Sequence, residues 1–254
     1  MPPLAIHTRI AKDTADRLRS ETLDSQRGNL YLGSTAPDIR ILTRWERERT
    51  HFFDIHNFDE QRCVESFLAN NPALADAGSL EERTRSFIAG YLSHLVVDEM
   101  WIAALYRPFF GERSPLGGSL RANIMDRALQ FSMDADTRLD TDLMAHILEA
   151  VARCDLEINI DFIDQPTLKE WHRVISDFAR QQPDWERFRT RARRHLEATG
   201  NLSVDDEEYE ELARSLPDLV DETLRYLSRE RVDDVMRGSV DESVRVVKEY
   251  LRCG

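Results

Sequence analysis

Residues 87–105 form the segment that most restricts how this chain can fold, Phe-Ile-Ala-Gly-Tyr-Leu-Ser-His-Leu-Val-Val-Asp-Glu-Met-Trp-Ile-Ala-Ala-Leu. The segment is apolar nearly all round, which is typical of a buried central helix or of a membrane span. His94, Asp98 and Glu99 lie in its middle, where ionisable groups are costly inside a membrane, and the chain has no second segment of this kind. The pattern therefore predicts a buried central helix and no transmembrane segment.

His94 and Asp98 form an HxxxD pair within this segment. Residues at i and i+4 project from the same face of a helix, one turn apart, so an imidazole and a carboxylate placed there can share one metal ion. A carboxylate in such apolar surroundings must be paired or metal-bound. A buried His–Asp hydrogen bond without metal is the alternative explanation of the spacing.

Helical periodicity dominates the rest of the chain, and convincing strand alternation is absent. The sequence predicts an all-α multi-helix bundle that forms a single domain over residues 1–254. Within it, residues 1–180 are predicted to be a metal-binding core and residues 181–254 a charged helical extension. The predicted helices cover residues 8–19, 59–69, 80–110, 119–133, 140–163, 165–179, 184–198, 204–228 and 239–251, with a looser segment between the first two.

The charge and cysteine content narrow the class of partner and the compartment. The formal net charge is −13, which argues against nucleic acid, because general phosphate-backbone binding depends on basic patches. The three cysteines form no CxxC motif, so a disulfide framework is not indicated. Because no basic stretch followed by an apolar run precedes His7, we expect a cytoplasmic location.

Three further short motifs contain metal-ligand residue types. Asp38 ends the sequence Gly-Ser-Thr-Ala-Pro-Asp, His51 lies in Thr-His-Phe-Phe-Asp, and His7 stands near the start of the first predicted helix. Each has an ordinary alternative role. Asp38 could be a helix N-cap, and His51 could be a surface histidine.

In this order, an early His, Gly-x-x-x-Pro-Asp, Thr-His-Phe and Gly-Tyr-Leu-x-His-x-x-x-Asp resemble the zinc-dependent phospholipase C family. That family is similar in fold to the zinc-dependent single-strand nucleases. The resemblance covers roughly residues 1–110 and implies an all-helical fold with zinc ions in a cleft. It also implies that Asp38, His51, His94 and Asp98 bind one metal ion. Asp98 would bridge to a second ion, held also by His7 and the N-terminal groups of the chain.

The resemblance does not extend to a third metal site, which in the family uses a histidine soon after HxxxD and then an HxxxE pair. The next histidine in this part of the chain is His146, which forms an HxxE pair with Glu149. We interpret this as a pair on one helix face. Residues Glu99, Tyr106, Arg107 and Arg44 flank the motifs as candidates for phosphate binding or proton transfer, but the sequence identifies no catalytic base.

The expected activity is metal-dependent hydrolysis of a phosphoester, in which a metal ion activates water. A small phosphodiester or a phospholipid head group is the preferred substrate, and one or two Zn²⁺ or other divalent ions the expected cofactor. The alternative is a non-enzymatic helical protein that keeps the fold and a structural metal. A di-iron oxidase would need two Glu-x-x-His motifs, and only Glu48-Arg-Thr-His51 is present.

Overall fold

The computed structural model describes residues 3–55, 57–59, 61–198 and 207–252, and within these ranges every regular element is a helix. The all-α prediction is therefore confirmed. The α-helices are α1 Leu4–Leu18, α2 Glu21–Ser25, α3 Arg27–Thr35, α4 Arg40–Thr43, α5 Arg47–His51, α6 Cys63–Asn70, α7 Glu82–Trp101, α8 Leu120–Leu139, α9 Thr141–Ala152, α10 Gln165–Arg180, α11 Trp185–Ala198, α12 Glu207–Arg214, α13 Leu216–Leu227 and α14 Arg229–Arg252.

Helix α7 is the central element, and α1, α3, α6 and α14 pack around it. Phe87, Ile88, Tyr91 and Leu92 on α7 are fully buried in the main hydrophobic core. Together with the turns that follow it, α7 is long and apolar enough by length and composition to cross a membrane. However, 78% of its most apolar window is buried against the rest of the protein, and a single helix of this kind does not establish a membrane span.

Two glycines allow α3 and α7 to cross at backbone contact. A Cβ atom on Gly33 would lie 1.9 Å from the carbonyl oxygen of Phe87, and one on Gly90 would lie 2.0 Å from the carbonyl oxygen of Leu30. Real side chains cannot approach backbone so closely, and backbone in a packed helix pair cannot easily move aside. The glycines in the two motifs therefore set the distance between α7, which holds His94, and α3, which leads directly into the 3₁₀ helix of Asp38.

The predicted helix over residues 80–110 changes character after Trp101. Residues Ile102–Phe110 form a π-helix that contains Pro108, and the amide of Gly111 donates to the carbonyl of Tyr106 at 2.7 Å. A proline cannot donate the regular helical hydrogen bond, and the wider turn is one of the recognised ways in which a helix accommodates an irregularity. Apolar periodicity alone could not distinguish the two helical geometries.

Several other predicted boundaries were wrong. Helix α1 begins at Leu4, so His7 lies inside the helix, and the segment predicted to be loose contains α2 to α5. Helix α9 ends at Ala152, well before residue 163. The region predicted as one helix over 204–228 contains two, and Pro217 lies in the first turn of the second, where its missing N–H costs no hydrogen bond. The last helix begins at Arg229.

The C-terminal helix α14 packs against the rear of the helices that hold the predicted ligands. Val240 forms a small cluster with Ile6, Ile10 and Val97, two of which precede His7 and Asp98 directly in sequence. Val246 and Val247 belong to the main core. The division into a core over 1–180 and an extension over 181–254 stays a prediction.

We predict that Gly90→Ala lowers the free energy of unfolding by about 3 kcal/mol, the upper part of the usual range for overpacking, because the new methyl group meets the backbone of α3. Gly238→Ala in α14 is the matched control. There the nearest atom is the flexible end of Met100 at 3.2 Å, and alanine favours a helix over glycine by about 1 kcal/mol. Chemical denaturation of both variants checks this; equal stability would contradict the close crossing.

Candidate metal centre

The five residues predicted as metal ligands come together in one cluster, although they lie on four separate elements. His7 is on α1, Asp38 on the 3₁₀ helix Ala36–Ile39, His51 at the end of α5, and His94 and Asp98 on α7. The side-chain exposures of His7, His51, His94 and Asp98 are between 0% and 3%, whereas Asp38 is 16% exposed. The cluster is therefore enclosed, with Asp38 at its more open side.

Asp38, His51 and His94 lie close enough together to hold one ion, and Asp98 Oδ2 lies near both histidines of this group. His51 Nε2 lies 3.6 Å from Asp38 Oδ1 and 3.4 Å from Asp98 Oδ2, and His94 Nε2 lies 3.6 Å from the same Asp98 oxygen. Zinc bonds of ≈ 2.0–2.1 Å to nitrogen and oxygen place tetrahedral ligand atoms roughly 3.3–3.4 Å apart. The arrangement can thus accept Zn²⁺ with only small movements of the side chains.

The orientation of the two imidazoles is fixed from outside the cluster. His94 Nδ1 lies 2.8 Å from the carbonyl oxygen of Ser34. A carbonyl only accepts, so Nδ1 donates and the lone pair of Nε2 faces the cluster. His51 Nδ1 lies 2.8 Å from the hydroxyl of Thr50, which in turn donates to the carbonyl of Arg47. These contacts resemble the outer hydrogen bonds of metal-binding histidines.

His7 and the second oxygen of Asp98 form the beginning of another site. His7 Nε2 lies 3.5 Å from Asp98 Oδ1, and the His7 ring stacks on His94 with centroids 3.7 Å apart. The amide of Ala5 donates to Asp134 at 3.1 Å, which anchors the start of α1. Asp98 thus turns one oxygen to each site, as a bridging carboxylate does. The N-terminal groups predicted to complete this site lie outside the described residues.

The second site has fewer ligands of its own among the described side chains. His94 is also close enough to His7 and Asp98 to form a group of three. However, its Nδ1 donates to Ser34 and its Nε2 faces the first site. His7 and Asp98 Oδ1 are therefore the two unshared ligand atoms there, and the first site is the better formed of the two.

The ionisation of the cluster suits a cation. Burial raises the pKa of Asp38, but the close imidazoles of His51 and His94 outweigh it and lower that pKa to about 2. Burial and the charge of Arg47 lower the pKa of His51 to about 4. Asp38 is thus ionised and His51 neutral at neutral pH, which are the forms that bind metal.

The alternative roles considered for these residues fit the structure less well. His51 is buried rather than on the surface, and Asp38 lies within a 3₁₀ helix without capping it. A metal-free His–Asp hydrogen bond would satisfy the imidazoles. Yet the Nε2 atoms of His7, His51 and His94 are buried without a hydrogen-bond partner among the described residues. Three unsatisfied buried nitrogens beside the two oxygens of Asp98 favour bound cations.

The residues proposed to flank the site have other contacts. Glu99 accepts a hydrogen bond from the thiol of Cys63, Tyr106 donates to Asn123, and one nitrogen of Arg107 donates to the carbonyls of residues 54, 55 and 57. Arg44 is exposed and has a positive φ of 60°. None of these contacts is with one of the five predicted metal ligands.

His146 and Glu149 lie elsewhere. His146 Nε2 is 2.9 Å from the hydroxyl of Tyr31, and Glu149 pairs with Arg153. Both residues line a separate cavity of about 220 Å³. This agrees with the interpretation of HxxE as a pair on one helix face and gives no support for a third metal site there.

Sequence analysis missed Arg47, which enters the cluster beside the ligands. It begins α5, four residues before His51, and its Nη2 lies 3.2 Å from Asp98 Oδ2. The i,i+4 spacing that identified His94 and Asp98 also places Arg47 and His51 on one helix face. That signal was available, but α5 was not predicted to be helical.

We predict that protein purified without chelator carries one tightly bound Zn²⁺ or similar ion, with a second bound more weakly at His7. Removing the tightly bound ion with chelator should lower the melting temperature by roughly 10 °C. An ion present at a free concentration about 1,000 times its Kd raises the free energy of unfolding by about 4 kcal/mol. His94→Ala and Asp98→Ala should show no such loss. Elemental analysis and thermal melts check this, and an unchanged wild-type melting temperature would contradict it.

We also predict that metal is released as the pH falls through the range in which imidazole titrates. Burial lowers the pKa of His94, but the negative charge of Asp98 outweighs it and raises that pKa above its ordinary value of 6.5. Protons therefore compete with metal from about neutral pH downward, while Asp38 stays ionised. Equilibrium dialysis between pH 8 and pH 3 should give a midpoint near the ordinary imidazole range. Release only near pH 4 or below would contradict this and point to His51 or the carboxylates.

Comparison with known families agrees with this cluster. Residues 6–101 match the sequence model of the family described as zinc dependent phospholipase C, a range that contains all five residues. No curated protein and no solved structure gave a significant match to the chain. The match and the cluster together support zinc binding and a metal-dependent hydrolase. The predicted resemblance to the zinc-dependent phospholipase C family is therefore confirmed over residues 6–101.

Proposed function

We propose that the protein hydrolyses a phosphoester with the help of one or two zinc ions held by His7, Asp38, His51, His94 and Asp98. The observation that carries the proposal is the set of four ligand atoms, 3.4–3.6 Å apart along the measured pairs, within the part of the chain that matches the family. Fold similarity alone would not support an activity, whereas a preformed ligand set supports specific chemistry.

A divalent ion bound here would lower the pKa of a water molecule and polarise a phosphoryl oxygen. Neighbouring residues fix the positions of the side chains that would bind this ion. Ser34 fixes the ring of His94, Thr50 fixes that of His51, and Asp98 is held between His7 and Arg47. Because His94, Asp98 and His51 are almost completely buried, bulk water does not screen their charges, and electrostatic interactions in the site are strong.

The charge of the chain bears on the class of substrate. A net charge of −13 opposes a long polyanion, whose binding depends on many cationic contacts. A small phosphodiester or a phospholipid head group carries few charges and needs only a local site. We therefore favour these substrates over nucleic acid.

The rival is a protein that uses the same cluster as a structural metal site. The low exposure of His7, His94 and Asp98 favours it, because structural zinc sites are closed and catalytic ones keep an open position. The exposed part of Asp38 favours a catalytic site. Turnover by metal-loaded protein decides between them.

We predict that metal-loaded protein hydrolyses at least one member of a panel of phosphomonoesters, phosphodiesters and phosphocholine lipids. His51→Ala and Asp98→Ala should each lower kcat/KM by more than about 100-fold, since even the loss of an outer hydrogen-bond partner of a metal ligand costs 10–100-fold. Initial rates at equal protein and zinc concentrations measure the effect, with the metal content of each variant determined alongside.

His146→Ala is the matched control, because that histidine lies outside the cluster. It should leave kcat/KM within about twofold of wild type, as expected for a substitution away from the site. If wild type shown to carry its metal turns over no phosphoester, the structural-metal rival is supported.

A further inference from the structure

Arg47 stands apart from the other arginines in its unmet hydrogen-bonding capacity. Its Nε and Nη1 are both buried without a hydrogen-bond partner among the described residues, and no other arginine there has two such nitrogens. The remaining nitrogen, Nη2, reaches Asp98. A guanidinium has five N–H donors, and leaving buried donors of a charged group unpaired is destabilising. Such a side chain calls for an anionic partner.

The guanidinium of Arg47 lies directly beside the predicted metal ligands. Its Nη2 lies 3.2 Å from Asp98 Oδ2, the carboxylate oxygen near His51 and His94. Its side chain is 10% exposed and that of Asp38 is 16% exposed, whereas those of His7, His51, His94 and Asp98 are at most 3% exposed. Arg47 and Asp38 are thus the most exposed side chains of the cluster.

The net charge of the metal site indicates a role for Arg47. A divalent ion bound to two ionised carboxylates, Asp38 and Asp98, with neutral imidazoles has no net charge. Arg47 is always protonated at physiological pH and makes the site cationic. A planar guanidinium also matches two oxygens of a phosphate, which makes arginine well suited to phosphate recognition.

We propose that Arg47 is a phosphate-binding residue, whose unpaired N–H groups at Nε and Nη1 are available to donate to the phosphoryl group beside the metal ion. The proposal rests on the proposed function for the identity of the anion. Since Nε and Nη1 are covered in this structure, the guanidinium turns toward the more open side of the cluster, at Asp38, as the phosphate enters. Nη2 retains Asp98, so the same side chain links substrate and metal ligand.

Binding of inorganic phosphate to the metal-loaded protein tests this without requiring turnover. We expect Arg47→Met to keep its tightly bound metal but to weaken phosphate binding by about 10–100-fold, the usual effect of losing charge-assisted hydrogen bonds. Arg47→Lys keeps the charge without the fork and should lose less, about 3–10-fold. Isothermal titration calorimetry gives Kd, and elemental analysis gives the metal content.

Arg49→Met is the matched control. Arg49 is exposed and lies over the ring of Trp45 at 3.6 Å, so its loss should leave both metal content and phosphate affinity as in wild type. Equal phosphate affinity in wild type and Arg47→Met would overturn the proposal. So would loss of metal in both Arg47 variants, since Arg47 would then serve to hold Asp98. If phosphate binding depends on Arg47 but no phosphoester is hydrolysed, the hydrolase function fails while this inference stands.

Discussion

The close crossing of α3 and α7 determines where every other part of the centre can lie. Because Gly33 and Gly90 present no side chain at the crossing, the end of α3 approaches α7 closely enough for the Ser34 carbonyl to reach His94. The carbonyls in the last turn of a helix have no partner within the helix, so this contact satisfies one of them and orients the imidazole. The chain then continues directly into the 3₁₀ helix that holds Asp38.

The cluster also explains how a charged group is tolerated in the most apolar helix of the protein. Asp98 is almost completely buried, and desolvation would raise its pKa. Contacts with His94, His7 and Arg47 lower the pKa well below its ordinary value instead. An isolated buried carboxylate would cost several kcal/mol (order of magnitude). The surrounding imidazoles and the guanidinium of Arg47 therefore determine both the ionisation of Asp98 and its readiness to bind metal.

The sequence predicted the parts of this arrangement that depend on local patterns. The apolar segment predicted a buried helix, and ordered motifs identified His7, Asp38, His51, His94 and Asp98, which the structure brings together. The boundaries of short helices escaped prediction, because α4 and α5 have four and five residues. Helices so short are marginal on their own and depend on packing. Arg47 was missed for the same reason, since its place in the cluster depends on α5.

The packing of α14 behind the ligand-bearing helices has a consequence for synthesis of the protein. Val240 covers Ile6 and Val97, the neighbours of His7 and Asp98. Translation runs from the N-terminus at roughly 5–20 residues per second, so Val240 is added about 140 residues, or on the order of 10 s, after Asp98. During that interval the nascent chain has all five ligands but lacks the helix that holds two of them from behind. An early metal ion would meet a looser, more open centre than the one in the finished protein.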